Sequence, residues 1–301
     1  LDLFPGWGCN LLGHCPEPVV RAVQEQVARL IHVPNSWYIE QQGEWAELLS
    51  ERSFGGQAFF CNSGTEANEA AIKLVRLRTN GERYKIITFQ GGFHGRTMGS
   101  VTATAQPKYH DGLGPMLAGF QYAPHGDLEA VEKLIDDRTG GILVEPILGR
   151  GGIVEAPAGW LAALAELCRE TGTLLAFDEI QCGLGRSGEP FAGPAAGVVP
   201  DLMCIGKSLG GGFPLSACMG TPAVMAAWGA STGEAIHTQT FLGHPVGCAA
   251  ALVVLQQLQG DLCERVVERG HALAQAFGDR PHRGRGLIRA VELRGNALTA
   301  S

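Results

Sequence analysis

Short apolar runs alternate with helical patterns along most of this 301-residue chain, and this alternation constrains the fold more than any other feature. Helical spacing of apolar residues occupies residues 66–78 and 160–171. The short apolar runs are residues 57–61, 85–89, 141–144, 173–177 and 202–205. Strands that alternate with helices predict βαβ units and a mostly parallel sheet with helices on both faces. The sequence therefore predicts an α/β fold.

Composition excludes several classes of function. Lysine and arginine total 23 against 30 acidic residues, and no basic stripe alternates with aromatics, so nucleic acid is not an expected partner. No apolar run approaches the roughly 18 residues of a membrane span, and no signal-peptide pattern opens the chain, so no membrane is expected either. The nine cysteines lack a C-x-x-C pair, which favours a reducing cytoplasm. Histidines at zinc-ligand spacing are absent, so no metal is expected.

In a parallel sheet, ligands bind where the strands end, so the residues after each apolar run are the candidates for function. After residue 61 the chain reads Asn62, Ser63, Gly64, Thr65 and Glu66, a glycine and hydroxyls leading into a helix. A helix start with free N–H groups and hydroxyls binds phosphate, but the same residues also make an ordinary helix cap.

The loop after residue 89 reads GGFHGRT and includes Phe93 and Arg96. Such a loop presents a flat ring and a guanidinium to a ligand, since arginine binds carboxylates with two parallel hydrogen bonds. The alternative is a turn with Phe93 in the core and Arg96 in solvent.

Two charged residues end neighbouring apolar runs. Asp178 closes TLLAFD, and Lys207 follows the run at 202–205. Burying either charge is costly unless it is paired or neutralised. A carboxylate that holds a pyridinium nitrogen and a lysine that forms a Schiff base are what pyridoxal phosphate requires. The alternatives for Lys207 are a lysine that reaches the surface and a phosphate-binding loop.

Two nucleotide-binding patterns fail on their context. GLGRSG at 183–188 matches a dinucleotide motif, but residues 189–194 are not expected to open a helix and the βαβ context is missing. IGKS at 205–208 resembles the end of a phosphate-binding loop, but the position of its first glycine holds Asp201. A nicotinamide-dependent oxidoreductase therefore stays only a remote alternative.

Several motifs together resemble the class III, or ω-amino, aminotransferases that use pyridoxal phosphate. In chain order these are CNSGTEANEAAIK, GGFHGRT, TATAQPKY, VEP, FDEIQCGLGR and IGKSLGGGFPLSA. Within that family the likeness is strongest to acetylornithine aminotransferases, through FHGRT and TATAQPKYHDGLGPMLAGF. The resemblance implies the fold-type I architecture of pyridoxal-phosphate enzymes, with parts of a smaller α+β domain. It also implies a ping-pong transfer of the terminal amino group of N-acetylornithine, or a similar donor, to 2-oxoglutarate.

The resemblance also implies roles for individual residues. Lys207 would form the Schiff base and move the substrate proton, and Asp178 would keep the pyridine nitrogen protonated. The cofactor contacts would be Ser63, Gly64, Thr65, Phe93, Asp178, Gln181, Lys207 and Thr240. The substrate contacts would be Arg96, Trp7 and Glu145. Thr240 would reach the phosphate of the neighbouring subunit and Trp7 would line the partner's substrate entrance, which implies a homodimer with shared active sites.

One segment departs from the family pattern. Relatives commonly read EPIQGEGG where this chain reads EPILGRGG, so Leu148 replaces a glutamine and Arg150 replaces a glutamate. In the family, that glutamate is thought to neutralise a C-terminal arginine while the ω-amino substrate is bound. Arg150 would repel such an arginine or itself bind a carboxylate, and both alternatives stay open.

The family pattern predicts three parts. Residues 1–24 would be a remnant of the small domain and a linker, 25–257 the large cofactor-binding domain, and 258–301 the start of a C-terminal small domain. The chain lacks an initiator methionine and stops after a strand-like run at 287–293, which favours a fragment. Other ω-amino donors such as ornithine or 4-aminobutyrate, and a non-catalytic cofactor-binding fragment, remain alternatives.

Overall fold

The computed structural model describes residues 2, 4–230 and 233–293 of the chain. The helices are α1 Glu17–Arg29, α2 Glu40–Arg52, α3 Gly64–Leu77, α4 Met98–Ala103, α5 Leu128–Leu134, α6 Trp160–Thr171, α7 Ala192–Ala195, α8 Pro222–Met225, α9 Pro245–Gln257 and α10 Leu262–Phe277. The strands are β1 Gln57–Cys61, β2 Lys85–Phe89, β3 Phe120–Ala123, β4 Thr139–Val144, β5 Ile147–Leu148, β6 Val154–Glu155, β7 Leu174–Asp178, β8 Leu202–Ile205, β9 Ser216–Gly220, β10 His282–Arg285 and β11 Ile288–Val291.

Seven strands form one central sheet in the order β1-β9-β8-β7-β4-β2-β3. Every neighbouring pair is parallel except the two pairs that involve β9. The predicted mostly parallel sheet is confirmed, and the carboxyl ends of its parallel strands lie along one edge.

Alternate residues of each strand face opposite layers of helices, because side chains of a strand alternate between the faces of its sheet. In β7, Leu175 and Phe177 pack in the core layer that includes residues of α2, α6 and α9. Leu174 and Ala176 face the other layer, which includes α3. Helix α3 packs through small residues such as Ala67, so it lies close to the sheet and its first turn is held near the strand ends.

The sequence located five of the seven central strands but missed β3 and β9. β9 reads SACMG, and its small residues carry little of the β-branched or aromatic signal that marks a strand. The expectation that residues 189–194 open no helix was wrong, since α7 begins at Ala192. Its first turn is held by a distant residue: the Glu179 carboxylate accepts hydrogen bonds from the backbone N–H groups of Ala192 (3.1 Å) and Gly193 (2.6 Å).

The three-part division of the chain stays a prediction. The proposed boundary at residue 24 falls inside α1, whereas the one at residue 257 coincides with the end of α9. Beyond it, α10 is followed by a separate hairpin of β10 and β11, and residues 294–301 lie outside the described part of the chain, as do residues 1 and 3 of the N-terminal part.

Among the described residues, no single helix is long and apolar enough to cross a membrane. Taken together, α9 and α10 pass the same test of length and composition, with a bend of 74° at the break between them.

Candidate active site

The residues singled out in the sequence meet at one edge of the central sheet, because they follow strands that run in the same direction. Asp178 ends β7, and its register partner Cys204 in β8 lies shortly before Lys207. The loops after β1, β2 and β4 bring in the remaining groups, namely residues 63–65, residues 93–96 and Glu145.

Asp178 is buried and accepts three hydrogen bonds from neighbouring groups. Its Oδ2 accepts hydrogen bonds from His94 Nδ1 and from Asn68 Nδ2, both at 2.8 Å, and its Oδ1 accepts one from the backbone N–H of Ile180 at 3.1 Å. The side chains of His94 and Asp178 are only 1% and 3% exposed, so water does not screen this pair. Burial alone would lower the pKa of His94, but the hydrogen bond and charge of Asp178, with the charge of Glu145, raise it overall. Both effects of Asp178 favour an imidazolium–carboxylate pair.

Glu145 lies beneath the loops and does not face the open site. Its Oε1 accepts a hydrogen bond from the backbone N–H of Phe93 (2.8 Å), and its Oε2 accepts one from that of Gly149 (3.0 Å). Burial, helped by the negative charge of Asp178, raises the pKa of Glu145 to about 7, although the charge of His94 and the two backbone hydrogen bonds act in the opposite direction. Glu145 thus ties the loop after β2 to the loop after β4, and its expected substrate contact stays a prediction.

Lys207 begins a single turn of 3-10 helix and has a φ of +45°, an unusual value for a residue with a side chain. Such backbone strain costs about 1–3 kcal/mol and concentrates at functional sites. The Lys207 Nζ donates to Gln181 Oε1 at 3.3 Å. A Cβ on Gly149 would lie 2.1 Å from that same oxygen, so any larger residue there would displace the end of the Gln181 side chain.

The first turn of α3 lies close to Lys207, and hydrogen bonds and close contacts fix its position. Glu66 Oε2 accepts hydrogen bonds from the backbone N–H groups of Asn62 (2.6 Å) and Ser63 (3.0 Å), which fixes the helix start. Gly64 touches Ile180 so closely that a Cβ there would lie 2.8 Å from its Cδ1. The Thr65 hydroxyl is 2.8 Å from that of Thr97. Ser63, Gly64 and Thr65 lie at this helix start, and their contact with a phosphate stays a prediction.

A cluster of two arginines and three aromatic rings lies at the open side of the site. Phe93 and Tyr109 pack edge to face, with ring centroids 5.6 Å apart. The Cζ of Arg96 lies 4.8 Å from the centroid of Tyr109, and the Cζ of Arg150 lies 5.0 Å from that of Phe93. The Cζ of Arg150 also lies 5.0 Å from the ring centroid of Trp7. Trp7 therefore contacts Arg150 of its own chain, whereas the resemblance implied an entrance lined by the partner's tryptophan.

Thr240 lies away from this constellation, on an exposed loop. The neighbouring Gln239 accepts a hydrogen bond from Asn62 Nδ2 through its Oε1 (3.1 Å), so the loop is anchored next to the start of α3. The expected contact of Thr240 with a neighbouring subunit stays a prediction.

Sequence reasoning missed three residues of the site. His94 was passed over between Phe93 and Arg96, and Asn68 in the helical pattern of α3, although both contact Asp178. Tyr109 was quoted only as part of a motif, yet its ring contacts Arg96. Asn68 could have been found from the sequence, because it is a polar residue on the sheet-facing side of an alanine-rich helix.

This chain is similar to known proteins in both sequence and fold. The profile of the family described as aminotransferase class-III matches residues 1–300. An acetylornithine aminotransferase of Caldanaerobacter subterraneus subsp. tengcongensis is 45% identical over 87% of this chain and 66% of its own length. One from Methanopyrus kandleri is 42% identical over 97% of this chain and 76% of its own length.

Among solved structures, the ornithine aminotransferase of Toxoplasma gondii superposes with a TM-score of 0.89 at 31% identity, covering 99% of this chain and 74% of that one. An (S)-enantioselective omega-transaminase from Thermomicrobium roseum gives a TM-score of 0.90 at 32% identity, covering 97% and 74%. The fold-type I prediction is confirmed. The chain spans about two thirds of the length of the first of the curated relatives.

Proposed function

Because this chain belongs to the class III aminotransferase family, we propose that it is a pyridoxal-phosphate-dependent transaminase. Its donor is N-acetylornithine or a similar ω-amine, and its acceptor is 2-oxoglutarate, in a ping-pong reaction of two half-reactions. The observation that carries the proposal is the placement of Lys207 at the same sheet edge as the buried Asp178 and the open start of α3.

The polar and aromatic groups of the site fit pyridoxal 5'-phosphate. The backbone of α3 approaches so closely at Gly64 that a Cβ would collide with Ile180, and its first N–H groups are free for a phosphate. Asp178 offers a buried carboxylate for a ring nitrogen, and Phe93 offers an aromatic face. Gln181 lies within hydrogen-bonding distance of the Lys207 amine and is placed to meet the phenolic oxygen of the ring.

When bound, the cofactor supplies an electron sink for the bond that breaks at the carbon bearing the amino group. Lys207 would hold the cofactor through Nζ and would move the proton at that carbon. Asp178 holds a proton on the ring nitrogen, because a buried carboxylate favours the positive form of a group beside it. His94 and Asn68 orient Asp178 through its Oδ2.

Arg96 binds a substrate carboxylate at the open side of the site. Its guanidinium is held against the Tyr109 ring, which leaves N–H groups free to donate. A second candidate donor is ornithine, which is favoured by the likeness to the Toxoplasma gondii ornithine aminotransferase. A donor panel of N-acetylornithine, ornithine and 4-aminobutyrate with 2-oxoglutarate separates these candidates.

We also propose a cytoplasmic homodimer. Large apolar side chains are exposed around the contact between Asn35 and Thr238, whose side chains hydrogen-bond at 2.8 Å. These exposed residues are Ile31, Trp37, Tyr38, Ile236 and Phe241. Exposed apolar patches mark protein interfaces, and Thr240 lies next to this one. All nine cysteines are free thiols, which supports a reducing compartment.

The test is amino transfer by the purified protein supplied with pyridoxal phosphate. We expect N-acetylornithine and 2-oxoglutarate to yield glutamate, and N-acetylornithine alone to bleach the visible band of the bound cofactor. Lys207→Ala should abolish both signals. Lys133→Ala, which removes an exposed lysine that pairs with Glu129 on α5, should leave them intact. Amino transfer that survives in Lys207→Ala would refute the proposal.

A further inference from the structure

Arg150 contacts two aromatic rings. Its Cζ lies 5.0 Å from the centroids of both Trp7 and Phe93, and its Nη1 donates a long hydrogen bond of 3.4 Å to the Tyr109 hydroxyl. Stacking on ring faces orients a guanidinium but leaves the N–H groups at its edge available. Arg150 is thus positioned and still able to bind a planar anion.

Arg96 contacts the same pair of rings, Phe93 and Tyr109. Its Cζ lies 4.8 Å from the centroid of Tyr109 and 5.8 Å from that of Phe93. The two arginines therefore contact one aromatic pair at the open side of the site.

Neither guanidinium forms an ion pair with another residue of the described chain. Two acidic residues near the site, Glu145 and Glu69, are engaged elsewhere. Glu145 accepts hydrogen bonds from backbone N–H groups of both loops, and Glu69 accepts from the Thr97 hydroxyl and from the backbone of Gly99. Two uncompensated positive charges close together repel each other, and a ligand with two negative charges relieves this repulsion.

We infer that Arg150 is a second carboxylate-binding residue, which with Arg96 selects substrates that carry two carboxylates. This inference rests on the proposed function and specifies its acceptor half. The substrate class is an amino or keto acid with a second carboxylate, such as glutamate and 2-oxoglutarate, with one carboxylate on each arginine. Arginine suits this role because its planar fork makes two parallel hydrogen bonds to a carboxylate.

The test measures ligand binding without catalysis. Glutarate has two carboxylates but no amino or keto group, and butyrate has one carboxylate. Calorimetric titration of the cofactor-loaded protein should show tighter binding of glutarate than of butyrate. Arg150→Gln should weaken the binding of glutarate by about tenfold or more, which is the usual effect of losing a charged hydrogen bond. The affinity for butyrate should stay unchanged.

Two further variants sharpen the result. Arg150→Lys keeps the charge but loses the fork, so its glutarate affinity should fall between those of the wild type and Arg150→Gln. Arg21→Gln, which removes an exposed arginine on α1 that pairs with Glu17, should bind both ligands as the wild type does.

Equal glutarate affinity in Arg150→Gln and wild type would overturn the inference, and so would an equal loss of butyrate binding. The outcome is separate from that of the proposed function, because glutarate binding requires no amino transfer. A protein that binds glutarate through Arg150 but transfers no amino group refutes the proposed function alone. A protein that transfers amino groups while Arg150→Gln binds glutarate normally refutes the inference alone.

Discussion

Gly95→Ala tests how closely the loop after β2 must lie on the start of α3. Gly95 has a φ of +134°, a region open essentially to glycine alone. A Cβ there would lie 2.3 Å from Thr65 Oγ1, 2.6 Å from Thr65 Cβ and 2.9 Å from Ser100 Cβ. Thr65 Cβ is fixed to the backbone of α3, so a rotation of the side chain cannot relieve the overlap.

The expected cost has two parts. Holding alanine at this φ costs about 1–3 kcal/mol, and inserting a methyl group into a packed contact costs about 1–3 kcal/mol more. The free energy of unfolding should therefore fall by roughly 2–6 kcal/mol, which lowers the melting temperature by at least about 4 °C in a chain of this size. Affinity for pyridoxal phosphate should fall as well, because the displaced loop lies on the proposed phosphate-binding turn.

Thermal unfolding and cofactor titration measure the two effects. Gly43→Ala is the matched control, since Gly43 lies within α2 and no atom comes within 4 Å of the place that its new methyl group would take. That change should stabilise the protein by about 0.5–1 kcal/mol through helix propensity. In a double-mutant cycle, Thr65→Gly removes both Thr65 atoms of the overlap and should recover part of the loss. A Gly95→Ala protein with wild-type melting temperature and cofactor affinity would refute the close approach.

Three other predictions concern the buried polar groups. The pKa of Glu145 is raised from its ordinary 4.5 to about 7, so the folded state binds an extra proton between these pH values. The free energy of unfolding should therefore decline by about 3 kcal/mol as pH rises through that window and stay level above it. Denaturant titrations at several pH values should show this decline reduced in Glu145→Gln; the same slope in both proteins would contradict it. His94→Leu removes one member of the buried pair with Asp178 and should cost about 3–5 kcal/mol of stability in urea unfolding, whereas a loss below about 1 kcal/mol would show that the pair is not coupled. Gly149→Ala should displace Gln181 and weaken cofactor binding in an absorbance titration with little change in melting temperature; unchanged affinity would mean that Gln181 does not contact the cofactor.

Hydrogen bonds of three buried side chains join the loops of the site. Asp178 ends β7, His94 follows β2 and Glu145 follows β4, so each loop depends on groups carried by the others. Leaving one of these buried polar groups without its partner is costly in a low-dielectric interior. The loops of the site are therefore held in a single arrangement. The rigid part of the site thus holds the proposed cofactor contacts, while Arg96 and Arg150 lie on its open side.

The sequence alone determined the strand–helix alternation and which strand ends carry chemistry. Buried parallel strands leave continuous apolar runs, so β1, β2, β4, β7 and β8 were visible in the sequence. Asp178 and Lys207 were visible because a charge at the end of such a run is costly without a function. The ordered motifs then identified the family.

Only the tertiary structure decided which groups meet. His94 and Asp178 are 84 positions apart, and no local pattern encodes their hydrogen bond. The same holds for Glu145, which the sequence placed with the substrate and the fold placed beneath two loops. It holds again for Arg150, whose place between Trp7 and Phe93 depends on three segments far apart in the chain. Hydrophobic periodicity and secondary-structure propensity are properties of a few neighbouring residues. The site, in contrast, is assembled by the register of a sheet that joins strands far apart in the chain.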